Sequence, residues 1–210
     1  MNVYITIGGS TKKNDLIELI RGNAGRVTTK QAREAGFSSS MLQLLVSQGL
    51  AVKESRGVFA LAETPLDDFA VISLRWPKVV FRCSSSLYLH GMTDIVPGVY
   101  EVSVPRGYKE DGIVGEYPNC LVLHENGELY GLGVVQGTSP TGTPLSLHDR
   151  ERSICDLVVA RKRGGADAQL LGQALNEYFG SPRKDLPLLM RYAKAMGVTA
   201  ELQTYLEVLS

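Results

Sequence analysis

No run of apolar residues in the chain approaches the roughly 18 that a membrane span needs, and the opening MNVYITIGGS has no basic segment followed by an apolar one. No membrane partner is expected, and the location is read as cytoplasmic. Cysteine is scarce. Cys83, Cys120 and Cys155 are odd in number and widely spaced, which argues against a disulfide framework and against a zinc site; they are expected to be reduced and mostly buried. A glycine-rich phosphate loop, an H-E-x-x-H pair and any metal-ligand spacing are also missing, so neither cofactor nor metal is expected. An enzyme would have to be assembled from His90, His124, His148 and the cysteines. Cys155, His148 and Asp149 supply the residue types for thiol chemistry, but their spacing matches no nucleophile motif, and Ile154 and Leu157 favour a buried thiol. No catalytic residue is assigned.

An excess of charge is lacking as well: 22 basic residues balance 22 acidic ones over 210 positions. Taken whole, this argues against a nucleic-acid partner. The distribution does not, because residues 1–62 hold eight Lys or Arg against four Asp or Glu, a net of +4, and residues 63–210 hold 14 against 18, a net of −4. The two parts can therefore favour different partners. The length suits one large or two small domains, and an apolar fraction of 44% allows a real core.

What the chain does have is concentrated between Val27 and Leu61, VTTKQAREAGFSSSMLQLLVSQGLAVKESRGVFAL. Thr28 and Gln31 have capping-box spacing, which predicts a helix start, and Gly36 stands where a short helix would stop. Ser38, Ser39 and Ser40 follow Phe37, and any of them can cap a second helix. In that helix Leu42, Leu45 and Val46 fall on one side while Ser40, Gln43 and Ser47 recur on the other. Gly49 closes it. Leu50 to Val52 and Val58 to Leu61, joined through Ser55, Arg56 and Gly57, read as two short strands. The pattern is a winged helix-turn-helix.

The remainder is read in order. Val3 to Ile7 suggests a short strand or a tail over residues 1–10. Leu16, Ile17, Leu19 and Ile20 give a helical stripe from Thr11 to Arg21. Residues 63–68, with Pro65, suit a linker, and Asp67 and Asp68 open a helix toward Arg75. A strand at Val79 to Phe81, a helix capped by Ser84 or Ser85, and a strand at Tyr100 to Val104 come next. Asn126-Gly127 between Leu121–Leu123 and Leu129–Tyr130 predicts a hairpin. Four helices then start at Asp149, Asp167, Asp185 and Thr199. The expected fold is α+β: a winged helix-turn-helix at 11–62 and a mixed α/β domain at 69–210 that ends in a helical bundle.

HDRERSICDLVVARK at 148–162 resembles the AbiEi family of antitoxins, the repressing partners in type IV toxin–antitoxin and abortive-infection systems. The supporting motifs run in order: the Val27 to Leu61 stretch, SLRWPKVVFRCSSSLYLHGMTD, VSVPRGY, HDRERSICDL and LPLLMRYAKAMGV. They cover about residues 11–209. The resemblance implies a non-enzymatic repressor that binds inverted repeats in the promoter of its own operon and counteracts a nucleotidyltransferase-like toxin, a role in antiviral defence. One departure is informative: relatives carry more basic residues in and beside the recognition helix, whereas SSSMLQLLVSQG has none.

The candidate DNA contacts follow. Ser39, Ser40 and Gln43 would reach base edges, Gln being suited to the donor and acceptor pair of adenine, with Ser47 nearer phosphate and Ser38 a further candidate DNA contact. Lys30 and Arg33 on the preceding helix, and Lys53 and Arg56 on the wing, would supply the phosphate contacts. Asp149, Arg150 and Arg152 are read either as a capped helix start or as a clamp for a toxin carboxylate or a phosphate. Two competing functional readings are a protein-interaction module with the winged helix as scaffold, and a ligand-responsive regulator.

Overall fold

The computed structural model describes residues 7–165 and 167–209. Contacts divide the chain into two units, one running to Pro77 and taking in Thr138–Pro144, the other holding Lys78–Gly137 and the chain from Leu145 onward. The expected boundary near residue 62 therefore falls inside the first unit, which also keeps the helix that was expected to open the second domain.

The first unit contains helices α1 (Ile7–Gly22), α2 (Thr29–Glu34), α3 (Ser39–Ser47) and α4 (Asp68–Arg75), and strands β1 (Arg26–Thr28), β2 (Ala51–Ser55) and β3 (Val58–Leu61). The strands form an antiparallel sheet in the order β1-β3-β2. Helix α1 starts earlier than expected, at Ile7; the rest of the strand or tail read at the N-terminus lies outside the described residues. Leu16 and Ile20 from α1, Ala32 from α2, Leu42 and Leu45 from α3, and Val27, Ala51, Phe59 and Leu61 from the sheet share one apolar core. The helical stripes read from the sequence thus point inward, at a spacing that brings one residue per turn into the core.

A buried ion pair sits within this unit. Arg26 is 1% exposed, and its Nε and Nη2 meet the two carboxylate oxygens of Glu54 at 2.7 and 3.0 Å. Nη2 also donates to the Pro65 carbonyl and Nη1 to Thr141 Oγ1. A register shift in β2 between Lys53 and Ser55 makes this possible, because the extra residue at a bulge turns Glu54 toward Arg26 while Val52 and Lys53 stay exposed. Thr141 in turn donates to Asp67 from both its backbone N and its Oγ1. Asp67 also caps α4 by accepting from the Ala70 N–H. Burial opposes ionisation of Asp67, but the bonds from Thr141, Ser139 and Ala70 outweigh it and hold its carboxyl below the ordinary value.

The second unit contains strands β4 (Val80–Phe81), β5 (Tyr100–Pro105), β6 (Cys120–Glu125), β7 (Val134–Thr138) and β8 (Pro144–His148), in the order β6-β5-β4-β8-β7. Its helices are α5 (Cys83–Leu89), α6 (Ile113–Glu116), α7 (Gly127–Gly131), α8 (Arg150–Lys162), α9 (Ala168–Gly180), α10 (Leu186–Met196) and α11 (Thr199–Leu209). The sheet is mixed: β5 runs antiparallel to β4 but parallel to β6, and β4 parallel to β8. Two local expectations are corrected. Asn126-Gly127 is a helix start, not a hairpin turn: the Asn126 side chain accepts from the Leu129 N–H to cap α7, which takes in Leu129 and Tyr130, the residues expected to form the return strand. Ser84 and Ser85 lie inside α5, whose N-cap is Arg82; their side chains instead tie to Glu101, Ser84 Oγ donating to its carboxylate and Ser85 Oγ accepting its N–H. Asp149, Asp167 and Asp185 do cap α8, α9 and α10 as expected. These helices bury Ile154, Leu157, Val158, Leu171, Leu175, Tyr178, Leu189 and Leu202 together with Cys83 and Leu87.

Two outcomes follow for the first unit. Arg26→Ala should cost about 3–5 kcal/mol in urea unfolding because it strands a buried carboxylate, and the pair replacement Arg26→Met with Glu54→Leu should cost less than that single change. Because Asp67 is depressed on folding, its stabilisation is present above the ordinary value of 3.8 and is lost as pH falls through the lower folded value; Asp67→Asn should flatten that part of the stability profile.

Candidate nucleic-acid interface

The capping box expected at the start of α2 is formed. Thr28 Oγ1 accepts from the Gln31 N–H at 3.1 Å and Gln31 Oε1 accepts from the Thr28 N–H at 2.8 Å. Gly36 follows at φ +87°, a conformation that favours glycine and lets the chain turn from α2 into α3. Ser38 is the N-cap of α3 but makes no side-chain cap bond; its Oγ lies 2.8 Å from that of Ser40. Arg56 and Gly57 join β2 and β3, with Gly57 at φ +80°. The Gly57 carbonyl accepts from the Thr29 N–H at 2.8 Å, which fastens the tip carrying Arg56 to the start of the helix carrying Lys30 and Arg33.

Lys30, Arg33, Ser38, Ser39, Ser40, Gln43, Ser47, Lys53 and Arg56 are all exposed. On the opposite side of α3, Leu42 and Leu45 are buried and Val46 is half-buried. Lys30 has Glu34 at 3.8 Å, an exposed pair of small energetic weight, while Arg33, Lys53 and Arg56 have no side-chain partner among the described residues. Leu44 and Val52, 48% and 44% exposed, share the open surface of this region. Arg26 and Glu54 cancel each other inside the unit, so the net of +4 over residues 1–62 is carried by the other charged residues.

Residues 14–62 match a family model described as a transcriptional regulator, AbiEi antitoxin. The segment is AbiEi-like. No curated protein matches the chain. The AbiEi-like segment spans α2, α3, β2 and β3, so it contains all nine exposed residues.

Beyond the AbiEi-like segment, the structure accounts for Asp149, Arg150 and Arg152 within the second unit. Asp149 accepts the Arg152 N–H and the Tyr192 hydroxyl, at 2.7 and 3.0 Å. Burial nevertheless raises its carboxyl above the ordinary value and, beside that carboxyl, the Tyr192 phenol is pushed up to about 12, burial again leading. Arg150 is half-buried, donates to Ser181 Oγ and lies over the Tyr178 ring. Arg152 is 1% exposed, and all three of its nitrogens are engaged, by Asp156, the Leu129 carbonyl and Glu125. A guanidinium so occupied has no fork left for a toxin carboxylate, which corrects the clamp reading at that position.

The centre missed by sequence reasoning is Asp156. It is fully buried and receives His148 Nδ1 at 2.6 Å, Arg82 Nη2 at 2.9 Å and Arg152 Nε at 3.2 Å. Burial alone would raise its carboxyl, but His148, Arg82 and Arg152 hold it far below the ordinary range. The i, i+4 spacing of Arg152 and Asp156 was the available signal, and it normally marks a solvated helix face. His148 therefore serves Asp156 and not Cys155, whose sulfur approaches the Leu189 carbonyl and whose thiol is pushed up to about 12, chiefly by burial. Such a thiol is a poor nucleophile.

All three cysteines are buried and free, so in the folded protein they should resist an aromatic disulfide reagent and react together only on unfolding; rapid modification of Cys155 would contradict its placement. Asp156→Asn should lose about 3–5 kcal/mol of stability, read by denaturant titration, because it leaves buried arginines unpaired.

Proposed function

We propose that the chain is a DNA-binding antitoxin and transcriptional repressor, with the first unit acting as a winged helix-turn-helix reader. Helix α3 enters the major groove, where Ser39, Ser40 and Gln43 read base edges, while Ser38 and Ser47 lie toward the flanking backbone. Lys30 and Arg33 from α2, with Lys53 and Arg56 from the wing, neutralise phosphates. The reading rests on one observation: within the AbiEi-like segment, the side of α3 away from the core is open and carries Ser39, Ser40, Gln43 and Ser47 alongside Leu44, and exposed basic residues flank it before and after.

In this reading two molecules occupy the arms of an inverted repeat in the chain's own promoter and shut off a toxin–antitoxin operon. The second unit counteracts a nucleotidyltransferase-like toxin in a cell that uses the pair against phage. Among Asp149, Arg150 and Arg152, the half-buried Asp149 and Arg150 have surface to offer such a partner, while Arg152 is buried.

Counterion release gives the test. Each phosphate contact contributes about one unit to the slope of log affinity against log salt, so alanine at Lys30, Arg33, Lys53 and Arg56 together should lower the slope by about three to four units. Affinity for the upstream region of the gene should fall with it. An unchanged slope in a mobility-shift titration would overturn the assignment and favour a winged helix that serves only as a scaffold.

A further inference from the structure

The second unit holds a cleft of about 290 Å³ that the DNA-reading function leaves unused, lined by Arg82, Arg106, Arg152, Arg163, Glu125 and Asp156 among others. Its size is at the lower end of the roughly 300–1,000 Å³ usual for small-molecule sites. Four guanidiniums against two carboxylates leave an excess of two positive charges. Arg152 and Asp156 are spent on each other and on their neighbours, so the free capacity lies with the remaining groups. Arg106 follows β5 and Arg163 caps the end of α8; both are exposed, and neither side chain has a partner among the described residues. Arg82 is 8% exposed. One of its nitrogens holds Asp156, but its Nε is buried with no partner in the protein. Glu125 is 7% exposed, and its Oε1 takes Arg152 while its Oε2 is buried and unpaired.

Unpaired buried groups of this kind cost about 1–3 kcal/mol each and are rare in native proteins, so a donor and an acceptor left without partners on two residues that line one cleft need an explanation. Their chemistry specifies the ligand. Arg82 Nε, Arg106 and Arg163 offer donors to an anion, and an excess of two charges matches a phosphate monoester, which carries about −1.5 to −2 at neutral pH, better than a single carboxylate. Glu125 Oε2 needs a donor, which a hydroxyl next to the phosphate provides.

We propose that this cleft binds a small phosphate monoester bearing a hydroxyl group, of sugar-phosphate or nucleoside-monophosphate size. The site stands independently of the DNA-binding reading, since none of its residues lies in the AbiEi-like segment.

Titration calorimetry on the full chain tests it with four probes: inorganic phosphate, ribose 5-phosphate, adenosine 5′-monophosphate and unphosphorylated adenosine. Saturable binding is expected for at least one of the two monoesters, tighter than for inorganic phosphate, with none for adenosine; which monoester binds tighter identifies the source. Arg106→Ala and Arg163→Ala, both exposed and thus compatible with folding, should each weaken binding by about tenfold, or 1.4 kcal/mol. Lys53→Ala should leave it unchanged. Absence of binding by either monoester at ~10 mM, affinity equal for adenosine and its monophosphate, or affinity unaltered in the Arg106→Ala/Arg163→Ala double variant would each overturn the proposal.

Discussion

The bidentate pair between Arg26 and Glu54 is the constraint on which the first unit depends. A guanidinium that is 1% exposed is costly to bury unless its donors are used, and Glu54, Pro65 and Thr141 use them. Meeting that demand fixes several things at once. The β2 bulge must turn Glu54 inward, which leaves Lys53 exposed on β2. The segment after β3 must pass close enough for the Pro65 carbonyl to accept, which brings Asp67 to Thr141 and starts α4. Thr138–Pro144 consequently counts with the first unit although the strands on either side belong to the sheet of the second. The basic surface proposed to meet phosphate is in this sense set by a basic residue that never reaches it.

The second unit solves a similar problem around Asp156. Three cationic or hydrogen-bonding groups from β8, α8 and the residue before α5 converge on one carboxylate, so the start of α8 is locked to the sheet by charge as well as by Ile154 and Leu157. Buried ion pairs add little net stability over apolar packing, but they penalise any alternative register heavily, because a slip would strand a charge. Arg82 and Glu125 are only half used by this network, and that residue of unused capacity gives the cleft its chemistry.

What could be read from the sequence was local. The capping box at Thr28 and Gln31, the glycine stop at Gly36, the turn between two strands at Gly57 and the aspartate caps of α8, α9 and α10 depend on residues within four positions of one another, and each is found as expected. The two sides of α3 were legible for the same reason. The failures share a physical cause in long-range pairing. Asn126-Gly127 carries a hairpin signal, yet the residues after it form α7, which packs on β5 and β6, and Asn126 becomes its cap. Glu54 looks like one of a run of solvated wing charges until the bulge is known. Arg152 and Asp156 look like an exposed helix pair, and only the arrival of Glu125, Arg82 and His148 from distant elements reveals them as interior. Exposure of the candidate DNA contacts was predictable from pattern; the burial of Arg26 against Glu54 was not.

The central claim is that sequence preference resides in the uncharged face of α3 while affinity resides in the charges around it. Its most direct measurement is the ratio of affinities for the chain's own upstream repeat and for unrelated DNA, compared between the native protein and the Ser39→Ala/Ser40→Ala/Gln43→Ala variant at fixed salt. The account predicts that this ratio falls by at least about tenfold, each good base contact being worth about 1–3 kcal/mol of discrimination, while the salt slope stays the same. A ratio that survives the triple substitution would contradict it.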